Sequence, residues 1–501
     1  MAVAAVQLDG LGRGRSFFYD DWSFVMDRRG PLVDTLLQPH NGHLSLLPAG
    51  VFRLMFEVIG LEHYRPYRWL AIATHLLVVV LVAVLVRRVS GWWFAFPVAA
   101  ATALLGSGWQ NTLWPFQIGF MGSIAAGLGA HVVLANRRRD PFAALLVGAS
   151  LACASLGLPI AVGVAARLAC RRADWARWWV VVAPSVLWGI WYLGYGEAQG
   201  SSDNIPILGS YVASSAAAAV AGLGDLTLDW GRLLAGIGLG AWLVTIASRR
   251  AVPARAVGWA ATVGAFWVLT GYSRAQFGEP AASRYVYFGG IFILLLAAEY
   301  APARPPRAVA AGAWLALGLG IWGNQAILEG GASGLRHVSE VVAAELYALE
   351  LAQDDVAADY RPDPVLAPPL VADKYFAAVA EFGSPAADAG TVGRSSNEAR
   401  QQADRVLLEL YRPSLTPLDR PLPPRCDDVV TGDDLRVSAG GLVLVPTPGD
   451  VLEIGLRRFG DGPSTAPTLL GGGELQLPDD GSERPWRARV ITGAGQICSG
   501  A

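Results

Sequence analysis

The chain has 501 residues, of which 53% are hydrophobic and only 16% are charged, and its mean hydropathy is +0.38. A soluble domain carries roughly a quarter charged residues. This composition excludes an ordinary soluble enzyme, so we expect a polytopic protein in a lipid bilayer, with no nucleic-acid partner. The charge is divided unevenly, since residues 1–325 carry 24 basic and 15 acidic side chains, whereas residues 326–501 carry 15 and 26.

Apolar stretches of membrane-spanning length fill most of the first 325 residues. The stretch 142–169 is interrupted at "SLGLPIAVG" and predicts two short helices that form a hairpin. We therefore expect about ten spans. The stretches are 69–86, 91–106, 118–135, 142–169, 178–195, 231–248, 257–271, 285–299 and 308–325.

Arginine clusters predict the orientation of these spans. If 142–169 turns back on itself, all the clusters fall on one side, which the positive-inside rule makes cytoplasmic. The other polar segments, and everything from residue 326 onward, then lie outside a multi-pass protein of the cell (plasma) membrane. The clusters are Arg87–Arg88, Arg137–Arg139, Arg171–Arg177, Arg249–Arg255 and Arg304–Arg307.

The first 16 residues, "MAVAAVQLDGLGRGRS", are too short and too polar to span a bilayer. They also lack the basic start and apolar core of a signal peptide. Either a first transmembrane helix precedes this start, which we favour, or the N-terminus is exported without one.

The tail predicts two further regions outside the membrane. Residues 326–425 combine Pro-rich segments with helical runs at 334–353 and 395–411, the second capped by Ser395 or Ser396. Residues 426–501 alternate polar and apolar side chains between Gly and Pro turns, which predicts a small antiparallel β-sandwich or jelly roll. Such a module either binds sugars or serves as a spacer. The fold class is therefore mainly α, a transmembrane bundle in residues 1–325, with an extracytoplasmic α/β tail.

Two cysteines, Cys426 and Cys498, bracket this last region. If the tail lies outside the cell, a disulfide between them is plausible.

The stretch "FFYDDWSFV" places Asp20 and Asp21 among aromatic residues before the first long apolar run. Such a pair could be a general base, part of a metal site, or solvated loop charge. The aromatic neighbours favour a function, since unpaired carboxylates are costly in an apolar setting, and two adjacent carboxylates suit a base that works near neutral pH.

The segment "QPHNGHLSLLP" contributes His40 and His43. These could complete a divalent metal site with the acid pair, or hydrogen-bond a phosphate or sugar. The H-x-x-H spacing alone is weak evidence for metal, so the hydrogen-bonding role is favoured and a metal cofactor is left open. The segment that follows predicts an amphipathic interfacial helix.

Two later loops supply candidates for substrate binding. "GWQNTLWPFQ" offers Trp109, Gln110, Asn111 and Gln117, whose indole and amide groups suit carbohydrate recognition, although interfacial anchoring of the tryptophan is the alternative.

The other loop, "SRAQFGEPAASRYVYFGG", offers Arg274 and Arg284. Both lie on the predicted external side, away from the cytoplasmic arginine clusters. A specific anionic partner, such as a phosphate, would explain them. Neutralisation of one arginine by Glu279 is the alternative.

These residues match the requirements of one reaction. An enzyme that faces outward needs its sugar donor carried across the membrane by a lipid, and a polyprenyl-phosphate sugar meets that need. An acceptor hydroxyl attacks the anomeric carbon, a carboxylate takes its proton, and the departing phosphate needs a cation.

The pattern resembles the GT-C superfamily of integral membrane glycosyltransferases, and within it uncharacterised actinobacterial members. The resemblance rests on "YDDW", on "QPHNGHLSLLP" and on "ASRYVY", and covers roughly residues 17–325. It implies an inverting transferase that uses a lipid-phosphate sugar, with Asp20 or Asp21 as base and Asp21 preferred. It further implies that Arg284, beside Tyr285, faces the lipid phosphate, and that the acceptor is a glycan, lipid or protein of the cell envelope.

Two alternatives remain open. The first is a non-catalytic glycan-binding or envelope-assembly protein with the same fold. The second is a transporter of a lipid-linked sugar, which is less favoured because the spans hold few ionisable groups beyond His75 and His131.

Overall fold

The computed structural model describes residues 1–248, 252–417, 419, 421–422, 426–437, 441–462, 469–482 and 484–499. Of the predicted arginine clusters, the one at 249–255 is described only from residue 252, so Arg249 and Arg250 lie outside the described residues. The chain forms two compact units. The first comprises Met1–Arg13, Asp27–Met55 and Arg65–Gly334, and the second comprises Gly14–Met26, Phe56–Tyr64 and Leu335–Ala501.

Helices dominate the chain. In chain order they are α1 (Ala2–Leu11), α2 (Asp20–Asp27), α3 (Leu32–Leu37), α4 (Leu46–Ile59), α5 (Arg65–Ser90), α6 (Trp92–Ala103), α7 (Trp109–Leu113), α8 (Ile118–Val133), α9 (Asp140–Cys153), α10 (Gly157–Ala169), α11 (Trp179–Tyr195), α12 (Ile205–Gly224), α13 (Leu228–Ser248), α14 (Ala254–Arg274), α15 (Ser283–Ala298), α16 (Arg307–Leu351), α17 (Ala372–Phe382), α18 (Ala389–Val392) and α19 (Asn397–Tyr411).

The apolar stretches of the sequence all form helices, and the predicted hairpin at 142–169 is confirmed as α9 and α10. Within the described residues, four helical segments are long and apolar enough to cross a membrane, as expected for a membrane protein. The full count of about ten spans stays a prediction. The four segments are Arg65–Ser90, Pro115–Val133, Ser202–Gly224 and Leu228–Ser248.

Charged side chains gather at one end of the helix bundle, which we call the basic end. Arg88 donates to the carbonyl of Val132 (2.9 Å), which joins the ends of α5 and α8. Ser90 donates to the carbonyl of Ala298 (2.7 Å), which joins the ends of α5 and α15. The arginine clusters near residues 88, 137, 171–177 and 255 therefore meet here.

The opposite end, which we call the loop end, collects the predicted polar loops. Gln110 donates its backbone N–H to Ser283 Oγ (3.1 Å), which ties the loop before α8 to the start of α15. Asn204 donates to the carbonyl of Tyr272 (2.9 Å), which ties the start of α12 to the end of α14.

Helix α12 was not predicted from the sequence. Its mean hydropathy matches that of the segments Pro115–Val133 and Leu228–Ser248, which were predicted, so low hydropathy does not explain the omission. Although it is long enough to cross a membrane, both of its ends contact the loop end. Asn204 bonds Tyr272 at its start, and the Gly222 carbonyl accepts from Ser107 Oγ (3.0 Å) at its finish. Because both ends of α12 lie at the loop end, this helix does not change the end of the bundle at which the later basic clusters lie.

The second unit contains the predicted β-sandwich. One sheet has the order β1-β7-β4-β9-β2 and the other has the order β3-β8-β5-β6, with every neighbouring pair antiparallel. The strands are β1 (Leu415–Thr416), β2 (Cys426–Val430), β3 (Asp434–Arg436), β4 (Leu442–Pro446), β5 (Glu453–Arg457), β6 (Leu469–Leu470), β7 (Gly473–Leu475), β8 (Arg487–Thr492) and β9 (Ala494–Ser499).

The predicted disulfide is present. Cys426 and Cys498 lie opposite each other on β2 and β9 and are bonded. The bond links the two ends of the sandwich segment, so it restricts the unfolded chain over a separation of 72 residues.

The helices before the sandwich share its core. Val341 on α16 and Val406 on α19 are buried in one cluster with Ile454 and Leu456 of β5. Helix α19 begins as predicted, because the Ser396 side chain accepts a hydrogen bond from the backbone N–H of Ala399. The region expected to be a helical linker, 326–425, therefore supplies helices to the same core as the sandwich.

Candidate functional site at the loop end

The acid pair lies in the second unit, at the start of α2. Asp21 is fully buried (0% exposed) and its Oδ2 accepts from the backbone N–H of Phe18 (3.0 Å) and from the Tyr64 hydroxyl (2.8 Å). A carboxylate that reaches back three residues in this way caps the helix start. The structure therefore gives Asp21, the preferred base, a structural task.

Asp20 differs from its neighbour because its side chain is only half-buried. The residue before it, Tyr19, has a positive φ of 45° and an exposed ring. This left-handed residue turns the chain into α2 at a cost of order 1 kcal/mol. Of the two carboxylates, Asp20 is the one that keeps exposed surface.

An aromatic cluster surrounds Asp21, as the sequence predicts. The ring of Phe17 meets that of Tyr64 edge-on at 4.8 Å and that of Trp22 at 5.6 Å, and Trp22 meets Tyr375 at 6.2 Å. These contacts exclude water from Asp21, and they lie within the second unit.

His40 and His43 lie in the first unit on a tight hairpin. Each donates its backbone N–H to the other's carbonyl, at 3.0 and 2.9 Å. Asn41 and Gly42 between them have φ values of 49° and 73°, which two-residue hairpin turns of type I′ require. Residues paired in this way project their side chains to the same face, so both imidazoles share one face. The dipeptide Asn-Gly was the signal for this turn, and the sequence interpretation did not use it.

The two imidazoles have different surroundings. His43 Nδ1 lies 2.8 Å from Ser155 Oγ, and the His40 ring packs on Phe116 at 4.9 Å. Burial, then the positive charges of Arg274 and His40, lower the pKa of His43 to about 4. His43 is therefore neutral at physiological pH and acts through hydrogen bonds. Among the described residues, no group of three or more His, Cys, Asp or Glu side chains could hold a metal ion.

A buried arginine that the sequence analysis missed supports this hairpin. Arg28 is 4% exposed and donates to the carbonyls of Thr35 (2.5 Å) and Gln38 (2.7 Å). It fixes the loop that leads into His40. The sequence offers only the pair "RR" after α2 as a signal, which does not distinguish this clamp from a surface charge.

Arg284 and Gln110 meet at the loop end. Gln110 Oε1 accepts from the Arg284 backbone N–H (3.3 Å) and from its Nη1 (3.4 Å). The guanidinium also lies 4.8 Å from the Tyr285 ring centroid. The nearest carboxylate contact, Glu279, is 3.7 Å away on an exposed side chain. The guanidinium contacts with Gln110 and Glu279 are long, so these two residues hold it only weakly.

A cavity of about 590 Å³ opens beside this arginine. Trp109, Gln110, Glu279 and Arg284 line it on one side, and small residues of α12, such as Ala218, line it on the other. The volume falls in the range of small-molecule sites. Indole, amide and guanidinium groups therefore converge on one space.

Asn111 and Gln117 have another position. They are 0% and 2% exposed, and they do not line the cavity. In the described part of the chain, Asn111 Nδ2 and Oδ1 and Gln117 Oε1 have no hydrogen-bond partner. Helix α7 is short. Gln110 lines the cavity, whereas the next residue, Asn111, is buried where α7 packs against α5 and α15. Both amides are therefore buried away from the cavity, and a role for them in substrate binding stays a prediction.

Arg274 lies away from the cavity, at the end of α14. Its guanidinium packs 5.8 Å from the Phe277 ring, and its charge acts on His43. The loop end thus offers two cationic positions, one at the histidine hairpin and one at the cavity. Comparison with protein-family models, with curated proteins and with solved structures found no match for this chain.

Proposed function

We propose that this protein is a membrane glycosyltransferase that moves a sugar from a polyprenyl-phosphate donor to a cell-envelope acceptor. The observation that supports this most is the cavity at the loop end, where Trp109, Gln110 and Arg284 converge beside apolar helices. A lipid-phosphate sugar has the three matching parts: a ring to stack, a phosphate to pair, and an apolar chain that belongs in a bilayer.

In this proposal Arg284 holds the phosphate. Its guanidinium lies 3.4 Å from Gln110 and 3.7 Å from Glu279, so a phosphate can replace these contacts with short charged hydrogen bonds. Trp109 offers its indole face to the sugar ring, and Gln110 offers its amide to a sugar hydroxyl. His43, neutral and bonded to Ser155, adds a hydrogen-bonding group rather than a charge.

Asp20 takes the role of general base. An acceptor hydroxyl forms a bond to the anomeric carbon, the bond from that carbon to the phosphate oxygen breaks, and its electron pair leaves on the phosphate. The hydroxyl proton passes to the Asp20 carboxylate. A single displacement of this kind inverts the anomeric centre. Asp21 keeps α2 in place through Phe18 and Tyr64.

The topology is part of the proposal. The basic end faces the cytoplasm, the loop end faces the exterior, about ten segments cross the membrane, and the second unit is extracytoplasmic. The bonded Cys426 and Cys498 support an oxidising compartment for that unit.

A second candidate is a non-catalytic envelope protein that binds glycan. The structural use of Asp21 favours it, because one of the two acids is committed to holding a helix.

The test is complementation of a deletion strain, with labelled envelope glycans as readout. Wild type, Asp20→Asn, Asp21→Asn and Arg284→Gln are compared at equal membrane expression. We expect Asp20→Asn to fail like the deletion while it accumulates normally, and Asp21→Asn to reduce protein level through loss of the cap. If Asp20→Asn and Arg284→Gln both restore the glycan, the transferase assignment is lost and the binding protein is favoured.

A further inference from the structure

Arg167, at the basic end, has a different environment from the other arginines there. The three carboxylates of this region are engaged elsewhere. Asp140 pairs with Arg177 through two contacts of 2.6 and 2.9 Å. Glu299 pairs with Arg255 at 2.9 Å and also accepts from Trp259.

The third carboxylate, Asp174, is shared by Arg137 and Arg177, each at 3.1 Å. No carboxylate among the described residues lies within ion-pairing distance of Arg167, whose hydrogen bonds go to His131 alone. Its Nη1 contacts the His131 carbonyl at 2.9 Å and the ring Nδ1 at 3.1 Å. A half-buried guanidinium is thus held in place by neutral partners.

The packing leaves room for this arrangement. Gly258 on α14 faces it, and a Cβ there would lie 3.2 Å from Arg167 Cβ and 3.4 Å from His131 Cε1. A side chain at this position would crowd both residues. The glycine therefore lets the arginine and the histidine lie against α14.

The chain beyond Arg167 adds charge and exposed indoles. Arg171 and Arg172 follow at the end of α10 and are exposed. Trp175 is 56% exposed and its Nε1 donates to the Ala169 carbonyl (3.2 Å), so its ring stays by the helix end. Trp178 is 41% exposed. Indoles and arginines of this kind gather where a helix bundle leaves the hydrocarbon.

We propose that Arg167, Arg171 and Arg172 form a site for the phosphate of an anionic phospholipid in the adjoining leaflet. The phosphate supplies the negative charge that Arg167 lacks, and the indoles lie at headgroup level. A soluble anion would need the arginines but not the indoles, which favours the lipid. The site is independent of the proposed transferase reaction, since it lies at the opposite end of the bundle.

The test is lipid binding to the purified full-length protein, measured by native mass spectrometry with phosphatidylglycerol and with phosphatidylcholine as probes. Arg167→Gln should weaken phosphatidylglycerol binding about fivefold, the weight of one arginine near an anionic surface, and the Arg171→Gln, Arg172→Gln double variant should weaken it further. Arg232→Gln, in an exposed pair with Asp229, is the matched control and should bind as wild type does.

Three results would overturn the proposal. The first is equal binding of phosphatidylcholine and phosphatidylglycerol. The second is unchanged binding in the arginine variants. The third is release of phosphatidylglycerol by millimolar inorganic phosphate with the same arginine dependence, which would assign the site to a soluble anion. If Arg167→Gln does not fold, the exposed Arg171 and Arg172 variants decide the matter.

Discussion

Two arginines at opposite ends of the helix bundle, Arg177 and Arg284, differ in how they use charge. At the basic end Arg177 makes a short buried ion pair with Asp140 (2.6 Å). At the loop end the Arg284 guanidinium makes polar contacts of 3.4 Å and longer, beside an open cavity. Short buried pairs are costly to break, whereas long contacts are replaced by a ligand at little cost. Arg177 therefore holds helices together, whereas Arg284 is weakly held by its polar neighbours.

The largest expected effect comes from breaking a short pair. Asp140→Ala leaves the buried Arg177 with the Asp174 carboxylate and the Leu134 carbonyl, and we expect the free energy of unfolding to fall by about 3 kcal/mol. Thermal unfolding of the purified protein measures it. The control is Asp229→Ala, which removes an exposed pair worth about 0–1 kcal/mol. Equal effects of the two changes would erase the distinction between the ends.

The second effect is a pH dependence at the loop end. Burial lowers the folded-state pKa of His43 to about 4, below its ordinary value of 6.5. Between these values the unfolded chain binds a proton that the folded protein does not, so stability falls as the pH falls through this window. We expect a loss of about 1–3 kcal/mol relative to His43→Gln. Identical pH profiles for wild type and variant would show that His43 titrates freely.

Much of the fold follows from the sequence because the signals are local. Apolar length gives the helices, Ser396 gives the start of α19, and alternation between turn residues gives the sandwich. Helix α12 was missed although its hydropathy matches that of α8 and α13. Its small residues let neighbouring helices approach closely, as Gly231 of α13 does at Ala217.

The site was harder to predict, for a physical reason. The sequence shows which polar residues are present. It does not show which of them are buried or form structural hydrogen bonds in the folded chain. Asp21 became a helix cap, and Asn111 turned inward while Gln110, one residue before it, reached the cavity. Whether a polar residue is buried or lines the cavity therefore depends on the tertiary contacts of a single helical turn.

The third effect concerns the histidine hairpin. Gly42→Ala forces a positive φ on alanine and brings its Cβ within 2.3 Å of Gln199 Cγ. We expect a loss of about 1–2 kcal/mol in unfolding free energy. Gly278→Ala is the matched control, because its φ is 69° but its Cβ meets open space. Gly278→Ala should lower the free energy of unfolding only by the backbone strain of a positive φ. A larger loss at Gly278 would contradict the assigned crowding.

The smallest effect is expected at Glu279. Its contact with Arg284 is long (3.7 Å) and exposed, so Glu279→Gln should change stability by less than about 0.5 kcal/mol. The same change removes a competing carboxylate and should strengthen binding of a phosphate-bearing lipid severalfold. Weaker binding in this variant would mean that Glu279 belongs to the site rather than competing with its ligand.

The central claim is that Arg284 at the loop end binds the phosphate of a polyprenyl lipid. The most direct measurement is the affinity of the purified protein for a polyprenyl phosphate, in wild type, Arg284→Gln and the control Arg232→Gln. We predict that Arg284→Gln weakens binding by about tenfold or more, as expected for loss of a charged hydrogen bond, with an unchanged melting temperature. Equal affinity in wild type and Arg284→Gln, at equal stability, would contradict the claim.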